Sequence, residues 1–233
     1  MKIAKKLPYV SIIVPAYNEE RNIEKILKSI SQIKEYRKQV IVAIDSKTTD
    51  RTAEKSKKYK PEILLTTGTV GKGDVISQAI KRIKGDYAIQ IDADSQFLPS
   101  DIPKLIEPLI NGVDVTLGTR YQKGANVEKG SVTKSKLVGS YFLSFMTTLL
   151  CGVPVTDVMA GFKAFKSPLL KRLHPEVSHF GYEAELVIKA AKLDAVIQNV
   201  PITYKKRIIG KSTVNDIKHG LLVLGTIFKT SLN

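Results

Sequence analysis

Residues Tyr87–Gln96 read YAIQIDADSQ, and this stretch indicates both the kind of fold and the position of its site. A short apolar run ends at Ile91 and is followed at once by two carboxylates, Asp92 and Asp94. Such a run is typical of a buried strand whose carboxyl end opens into a crevice, where ligands bind in open α/β sheets. With Gln96 the segment offers oxygen donors at alternate positions, which share a face in an extended chain. Mg²⁺ and Mn²⁺ take such ligands, usually together with substrate phosphates, although Asp is also a common turn residue at a strand end.

Outward from this stretch, residues 1–120 alternate between predicted strands and predicted helices. The predicted strands are Tyr9–Pro15, Val40–Asp45, Glu62–Leu65, Tyr87–Asp92 and Val113–Gly118. The predicted helices are Asn22–Ile33, a segment from Thr49 or Asp50 to Lys58, a helix that Gly71-Lys72-Gly73 opens, and Asp101–Ile110 with Ser100 as its cap. This alternation predicts an α/β fold: a Rossmann-like, mostly parallel sheet with helices on both faces.

The second half of the chain, residues 121–233, is less regular. We expect a polar, mobile loop at Gln122–Lys134, helices at Ser135–Leu150, Tyr182–Leu193 and Asp216–Lys229, strands at Phe162–Phe165 and Val196–Tyr204, and a basic loop at Lys205–Asn215. The apolar segment 135–150 is flanked by Lys134 and Lys136, which leaves two interpretations open: a core helix, or a helix at a membrane surface.

Composition limits the classes of protein. Over 233 residues, 43% hydrophobic and 25% charged content are typical of a globular chain with a sizeable core. The net charge of +15 favours anionic partners, namely nucleic acid, a membrane surface or phosphate-bearing substrates. The single cysteine, Cys151, excludes an internal disulfide, and the N-terminus lacks the apolar core of a signal peptide, so we expect a cytoplasmic protein.

Several motifs, in order along nearly the whole chain, resemble those of the inverting glycosyltransferases of family two, which have the GT-A fold. The similarity is greatest to the branch of dolichol-phosphate mannosyltransferases and polyprenyl-phosphate glycosyltransferases. The motifs are SIIVPAYNEERNI (11–23), VAID (42–45), GKG (71–73), DADSQ (92–96), GTRY (118–121), DVMAGFKAF (157–165), GYEAEL (181–186) and VPITYKKRIIGKS (200–212).

The resemblance implies a metal-dependent transfer, with inversion, of a sugar from GDP-mannose or a UDP-sugar to a polyisoprenyl (dolichyl) phosphate. It implies one GT-A domain over residues 1–233, with a nucleotide-sugar-binding half (1–120) and an acceptor-side half (121–233). The expected cofactor is Mg²⁺ or Mn²⁺. The expected location is peripheral, at the cytoplasmic face of a membrane, with no nucleic-acid partner.

The resemblance also assigns residues. The implied metal site is Asp92, Asp94 and Gln96, and the implied catalytic residues are Asp94, Arg120 and Arg207. The implied nucleotide-sugar site is Pro15, Tyr17, Glu19, Ala43, Asp45, Lys72, Asp92, Ala93, Asp94, Gln96, Arg120, Arg207 and Lys211. Arginine suits this task because its planar fork binds phosphate bidentately.

Three alternatives remain open. A saccharide hydroxyl acceptor would need a general base, for which Asp157 is the best placed residue, and Glu185 is a further acceptor-side candidate. A nucleotidyltransferase would want a glycine-rich loop after the first strand, but PAYNEE (15–20) has no glycine. A non-catalytic anion-binding or nucleic-acid-binding protein fits the charge but lacks an aromatic RNA-binding motif. The base of the donor is open, because Ile44-Asp45 stands where the family often has two acids.

Overall fold

Runs of β-branched and other apolar residues form a seven-stranded sheet in the computed structural model, which describes residues 7–207 and 216–232. In chain order the strands are β1 (Tyr9–Ala16), β2 (Arg37–Ile44), β3 (Glu62–Leu65), β4 (Tyr87–Ile91), β5 (Val115–Thr119), β6 (Asn126–Val127), β7 (Phe162–Lys166), β8 (Ile197–Pro201) and β9 (Thr203–Tyr204). The order in the sheet is β3-β2-β1-β4-β7-β5-β8, and β6 and β9 pair separately. Strand β7 is antiparallel to both neighbours, whereas the other pairs of the sheet are parallel.

Helices cover both faces of the sheet. They are α1 (Ile23–Ser31), α2 (Thr52–Ser56), α3 (Lys72–Ile80), α4 (Ile102–Ile110), α5 (Lys134–Cys151), α6 (Ser167–Leu173), α7 (Tyr182–Ala191) and α8 (Asp216–Leu232), with short 3₁₀ turns at Lys57–Tyr59 and Pro99–Asp101. Helices α1 and α4 pack on the face that holds Ile12 and Val14. Helices α3 and α7 pack on the opposite face, which holds Ile13. The alternation along β1 therefore separates two cores.

The topology brings several chain segments to one edge of the sheet. Strands β1, β2 and β4 are parallel, so their carboxyl ends lie together. Strand β7 runs the other way, and its first residue, Phe162, pairs with the last residue of β4, Ile91. The loop that precedes β7 consequently reaches the edge where Asp92 and Asp94 leave the sheet.

The predicted architecture of a mostly parallel sheet with helices on both faces is confirmed, while three local predictions are corrected. Helix α6 was not predicted. The single strand expected over Val196–Tyr204 is divided, because β8 pairs with β5 and β9 pairs with β6. Ser100 does not cap α4, because it lies inside a 3₁₀ turn. The N-cap residue of α4 is Asp101, which makes no side-chain capping bond.

Helix α5 has the reverse of the usual polarity for a helix on a protein surface. Its buried side includes the small hydroxyl residues Ser140, Ser144 and Thr147. Its aromatic residues Phe142 and Phe145 are 51% and 62% exposed. A helix of a globular protein normally turns its apolar stripe inward. Among the helices within 7–207 and 216–232, α5 included, none has the length and apolar character to cross a membrane.

Candidate functional site

A cleft of about 1050 Å³ opens at the carboxyl edge of the sheet. Residues that follow β1, β2, β4 and β5 line it, together with residues from α3, α5, α7 and α8. The predicted site residues that it brings together are Pro15, Tyr17, Glu19, Asp45, Lys72, Asp92, Ala93, Asp94, Gln96, Arg120 and Arg207. These predicted residues therefore lie together in one cleft.

Asp92 lies at the end of β4 against an ammonium group. Lys72 Nζ, at the start of α3, lies 2.6 Å from Asp92 Oδ1. Gly161, in the loop before β7, is required here because a β-carbon would collide with the Asp92 carboxylate. Burial raises the pKa of Asp92, against the opposing effect of Lys72.

Asp94 and Gln96 connect the β4 end to the segment after β9. The guanidinium of Arg207 pairs with Asp94 Oδ2 and lies 3.3 Å from Gln96 Oε1 through Nε. Gln96 Nε2 donates to the carbonyl of Lys205 at 3.0 Å, and Asp94 Oδ1 accepts from the Gln96 backbone N–H at 3.0 Å. Arg207 thus lies against two of the three predicted metal ligands, Asp94 and Gln96.

A chain of buried charges continues behind Lys72. Glu183, on α7, accepts from Lys72 Nζ at 3.3 Å and from Lys163 Nζ, on β7, at 2.6 Å. Lys163 and Glu183 are 0% and 1% exposed. Burial works to raise the pKa of Glu183, but the two ammonium groups outweigh burial and lower it. The order of charges is therefore Lys163, Glu183, Lys72, Asp92, alternating in sign.

Glu183 lines the cleft but is not among the site residues predicted from the sequence. Its partner Lys163 lies in DVMAGFKAF, in a strand whose neighbouring positions are apolar. A lysine inside a buried strand requires a buried acid, and that is the signal that could have identified Glu183.

Arg120, at the end of β5, is held by Asp157, the candidate base of the alternative reaction with a saccharide hydroxyl. Asp157 Oδ2 accepts from Arg120 Nε at 2.7 Å and from its backbone N–H at 3.1 Å, and Oδ1 accepts from Nη2 at 2.9 Å. Asp157 is fully buried and does not line the cleft. Its charge raises the pKa of Arg120 although burial opposes this. Asp157 is therefore not placed to accept a substrate proton; it orients Arg120.

The other end of the cleft is built by the β1 and β2 loops. Asp45 Oδ1 accepts from Thr69 Oγ1 at 2.9 Å and from the Lys47 backbone N–H at 2.9 Å. The Glu20 backbone N–H donates to Asp50 Oδ2 at 2.9 Å, which ties the two loops together. Tyr17 is 47% exposed at this end, so its ring is accessible to a ligand.

Two further predicted residues, Ala43 and Glu185, do not line the cleft. Ala43 is fully buried in the core beneath α3, because the side chains of β2 alternate between faces. Glu185 accepts from the backbone N–H groups of Glu176 and Val177 and pairs with Lys189, so it caps a loop on the far side of α7. Lys211 lies outside the described residues.

The oxygen donors at the β4 end suit a hard divalent cation that also has substrate phosphates as ligands. Within residues 7–207 and 216–232, no group of three or more His, Cys, Asp or Glu side chains could hold a metal. The cleft offers Asp92 and Asp94, the amide oxygen of Gln96, and the space kept by Gly161. Both carboxylates now face cations, Lys72 and Arg207, so they already lie in positions that attract positive charge.

Comparison with protein families gives a match for residues 11–173, to the family described as glycosyl transferase family 2. The match begins in β1, covers the Asp92–Gln96 turn and ends in α6. The chain belongs to glycosyltransferase family 2.

Two curated relatives are 31% and 30% identical to the chain. A dolichol-phosphate mannosyltransferase of Pyrococcus furiosus is 31% identical over 207 residues, which cover 87% of this chain and 58% of that protein. A UDP-N-acetylglucosamine–dolichyl-phosphate N-acetylglucosaminyltransferase of Methanococcus voltae is 30% identical, with 86% of each chain covered. This chain therefore spans little more than half of the Pyrococcus protein.

A similar fold is found among solved structures. Glucosyl-3-phosphoglycerate synthase of Mycobacterium tuberculosis, in complex with Mn²⁺, UDP and glucosyl-3-phosphoglycerate, superimposes with a TM-score of 0.75 at 22% identity, over 96% of this chain and 80% of that one. At this identity the likeness shows the fold alone. It confirms the predicted GT-A class.

Proposed function

We propose that this chain is an inverting, metal-dependent glycosyltransferase that moves a sugar from a nucleotide-diphosphate sugar to a polyisoprenyl phosphate. The observation that carries the proposal is the charge arrangement at the carboxyl edge. Two carboxylates, Asp92 and Asp94, lie in one cleft with three cations, Lys72, Arg120 and Arg207. That set suits a diphosphate, a metal and a second phosphate in the same space.

The donor occupies the β1, β2 and β4 side of the cleft in this proposal. Pro15, Tyr17 and Asp45 receive the nucleoside, and Lys72 and the turn Asp92–Gln96 receive the diphosphate. The Methanococcus relative is named for a UDP-sugar donor, which supports a nucleotide-sugar donor for this chain.

Asp92 and Asp94, helped by Gln96, would hold Mg²⁺ or Mn²⁺. When bound, such an ion neutralises charge on the departing nucleoside diphosphate. The protein adds fixed positive charge at the same place, because Arg120 forms an ion pair with Asp157 and Arg207 forms one with Asp94. Fixed charges stabilise the developing negative charge without reorganising during the reaction.

The acceptor is proposed to be a phosphate because, within residues 7–207 and 216–232, the carboxylate paired with Arg120 is Asp157, which is not available as a base. Asp157 is buried with both oxygens engaged by that arginine. A phosphate monoester, with a second pKa of about 6, already carries a nucleophilic oxygen at neutral pH and needs only cations to orient it. This argues against the alternative of a saccharide hydroxyl activated by Asp157.

The lipid part of the acceptor is proposed to approach along α5 and α8. The cleft continues between these helices, where Gly139, Leu143, Phe180 and Gly220 line it. Exposed apolar residues repeat at helical spacing on α5 (Val138, Tyr141, Phe142, Phe145, Leu149) and on α8 (Leu221, Leu222, Phe228, Leu232). We define these residues as the α5/α8 apolar surface, and it would lie against the anionic face of a bilayer. Several of the relatives are named for dolichyl-phosphate acceptors, which supports the same proposal.

The test is an acceptor screen with the full chain, Mn²⁺ and a panel of UDP- and GDP-sugars. The acceptors are a polyprenyl phosphate, the matching polyprenol without phosphate, and simple saccharides. We expect transfer to the polyprenyl phosphate only. We expect Asp157→Asn to keep measurable transfer at a lowered rate, because Arg120 loses a charged partner while no base is lost.

Transfer to the polyprenol or to saccharides, abolished in Asp157→Asn, would contradict the proposed acceptor. Transfer from none of the nucleotide sugars to any acceptor would contradict the proposed reaction as a whole.

A further inference from the structure

We infer that Tyr204, which lines the cleft but is not among the predicted site residues, positions the guanidinium of Arg120 for the transfer step. This inference rests on the proposed function and specifies how one of its cations is held. It comes from the position of the Tyr204 ring, which contacts Arg120 and the segment that continues the Asp92–Gln96 turn.

The Arg120 guanidinium is held on one edge and on its faces by different groups. Asp157 accepts along one edge, from Nε at 2.7 Å and from Nη2 at 2.9 Å. Such a bidentate pair fixes that edge, but it does not by itself prevent the group from tilting about the edge. The guanidinium carbon also lies 5.0 Å from the ring centroids of both Tyr121 and Tyr204. A cation is attracted to the electron-rich face of a ring, so these rings oppose the tilt.

The Tyr204 ring is anchored to the turn that carries the predicted metal ligands. Its centroid lies 4.9 Å from that of Phe97, and the backbones of these two residues form an antiparallel bridge. The next residue, Lys205, donates its backbone N–H to Gln96 O at 2.8 Å. Tyr204 is 9% exposed. The ring therefore has a fixed position between the turn and Arg120.

The other ring, that of Tyr121, has a less rigid support. Tyr121 follows Arg120 directly in the chain, and its ring packs at 4.8 Å against Tyr141 of α5. Tyr141 is 50% exposed, whereas the partner of Tyr204, Phe97, is 3% exposed. Of the two rings, the Tyr204 ring is consequently the one that fixes Arg120 relative to the turn.

The Tyr204 phenol stays neutral at neutral pH. Burial raises its pKa to about 12; Arg120 opposes this increase, and the charges of Asp94 and Asp92 add to it. An uncharged ring that is close to the carboxylates of the turn and to the arginine agrees with the position derived from the ring contacts.

The expected role follows from what Arg120 does in the proposed reaction. A fixed cation stabilises negative charge that develops in the transition state, and it loses this advantage when it must reorganise. Loss of the Tyr204 ring would let the Arg120 guanidinium tilt away from that charge. The catalytic rate should therefore fall more than the affinity for the donor. Because Tyr204 acts through Arg120, it is a positioning residue.

The first experiment measures kcat and donor KM for transfer of labelled sugar to polyprenyl phosphate, with Mn²⁺, in the full chain. We expect Tyr204→Leu to lower kcat at least about tenfold and to keep the donor KM within about twofold. We expect Tyr204→Phe, which keeps the ring and loses the hydroxyl, to keep kcat within about threefold of wild type.

The matched control is Phe162→Leu, which removes a ring from the same aromatic cluster. Phe162 is 0% exposed and packs at 5.5 Å against Phe97, and within residues 7–207 and 216–232 no cation lies against its ring. We expect this variant to lose stability and to keep kcat within about twofold of wild type. Circular dichroism checks that each variant is folded. If Tyr204→Leu does not fold, Tyr204→Met, whose flexible side chain fills an irregular space, takes its place with the same expected loss.

The second experiment distinguishes an effect through Arg120 from an effect through the metal-binding turn. It measures the Mn²⁺ concentration that gives the half-maximal rate. In Tyr204→Leu the turn keeps its bonds between Gln96 and Lys205, so we expect this concentration to stay within about twofold of wild type.

Three results would overturn the inference and leave the proposed function standing: a loss of kcat in Tyr204→Leu no larger than in Phe162→Leu, an equal loss in Tyr204→Phe, or a raised Mn²⁺ requirement in Tyr204→Leu. Absence of transfer by the wild type from any of the nucleotide sugars would overturn the proposed function, and this inference with it.

Discussion

Glu183 is the residue through which several buried polar groups behind the cleft are connected. It accepts from two ammonium groups, Lys163 and Lys72, and from the Tyr182 hydroxyl at 2.5 Å. Through Lys72 it is one contact removed from Asp92, so it fixes the cation that faces a predicted metal ligand. Glu183 acts through Lys72 and is therefore a positioning residue.

We predict that Glu183→Gln lowers the free energy of unfolding by about 3–5 kcal/mol, because the fully buried Lys163 ammonium loses its counter-charge. Urea unfolding at neutral pH measures this. The matched control is Glu176→Gln, whose carboxylate pairs with Lys189 but is 78% exposed, and which should change stability little.

The same variant has a predicted pH signature. The folded pKa of Glu183 is lower than its reference value of 4.5, so the carboxylate stabilises the folded state above about pH 4.5. That contribution is lost as the pH falls through the folded pKa. The stability difference between wild type and Glu183→Gln should consequently shrink in acid, and a difference independent of pH would count against the assignment.

Residue patterns predicted the cleft better than they predicted what each side chain does. The spacing of Asp92, Asp94 and Gln96 was sufficient to place a turn of oxygen donors. Whether Asp157 is a base or a partner of Arg120, and whether Glu183 or Glu185 faces inward, depends on contacts between α7, β7 and β5 that lie far apart in sequence. Local spacing carries no information about such pairs.

At the scale of elements, the direction of β7 in the sheet could not be predicted from the sequence. Its apolar character predicts a strand, but apolar alternation has no direction, so it does not distinguish a parallel from an antiparallel neighbour. The antiparallel direction brings Gly161 against the Asp92 carboxylate and Asp157 against Arg120. Helix α6 was not predicted because its seven residues are too few to show the apolar periodicity of a helix.

The α5/α8 apolar surface gives a prediction for these two helices. We expect the triple variant Phe142→Ser, Phe145→Ser, Leu149→Ser to lose at least about tenfold in affinity for anionic lipid vesicles, since each buried apolar side chain is worth about 1.5–3 kcal/mol. Sedimentation with phosphatidylserine-containing vesicles measures this. Calorimetric UDP binding should remain, because these exposed residues are not among those that line the cleft.

The matched control for the vesicle experiment changes apolar residues elsewhere on the surface. Leu65, at the end of β3, and Val196, before β8, are 65% and 57% exposed. Replacing both by serine should leave vesicle binding unchanged. Equal losses in the two variants, or no loss in the triple variant, would remove α5 from the membrane contact.

At the scale of the whole molecule, one sheet organises both halves of the chain. Strands β1–β5 come from residues 1–120, and β7 and β8 come from the remainder. The alternation of strands and helices sufficed to predict the elements of the first half, because the apolar pattern of each element is visible in its own residues. The second half fills gaps between elements already in place, and its pairings are set by that three-dimensional context.

The net charge of +15 acts at this scale as well. It favours approach to phosphate-bearing partners in general, through long-range attraction that salt weakens. The charge is therefore consistent with a lipid phosphate acceptor without selecting it. In the proposed function, selection depends on the cleft, where Lys72 pairs with Asp92, Arg207 with Asp94, and Arg120 with the buried Asp157.

The central claim, metal-dependent transfer at the β4 turn, is tested most directly by transfer of labelled sugar to polyprenyl phosphate in wild type and Asp94→Ala. Asp86→Ala is the control, since Asp86 precedes the same strand at its opposite end and is exposed. We predict that transfer and Mn²⁺-dependent nucleotide binding are lost in Asp94→Ala and retained in Asp86→Ala, and that excess chelator stops the wild type. Undiminished turnover in Asp94→Ala, or full wild-type activity in excess chelator, would contradict the account.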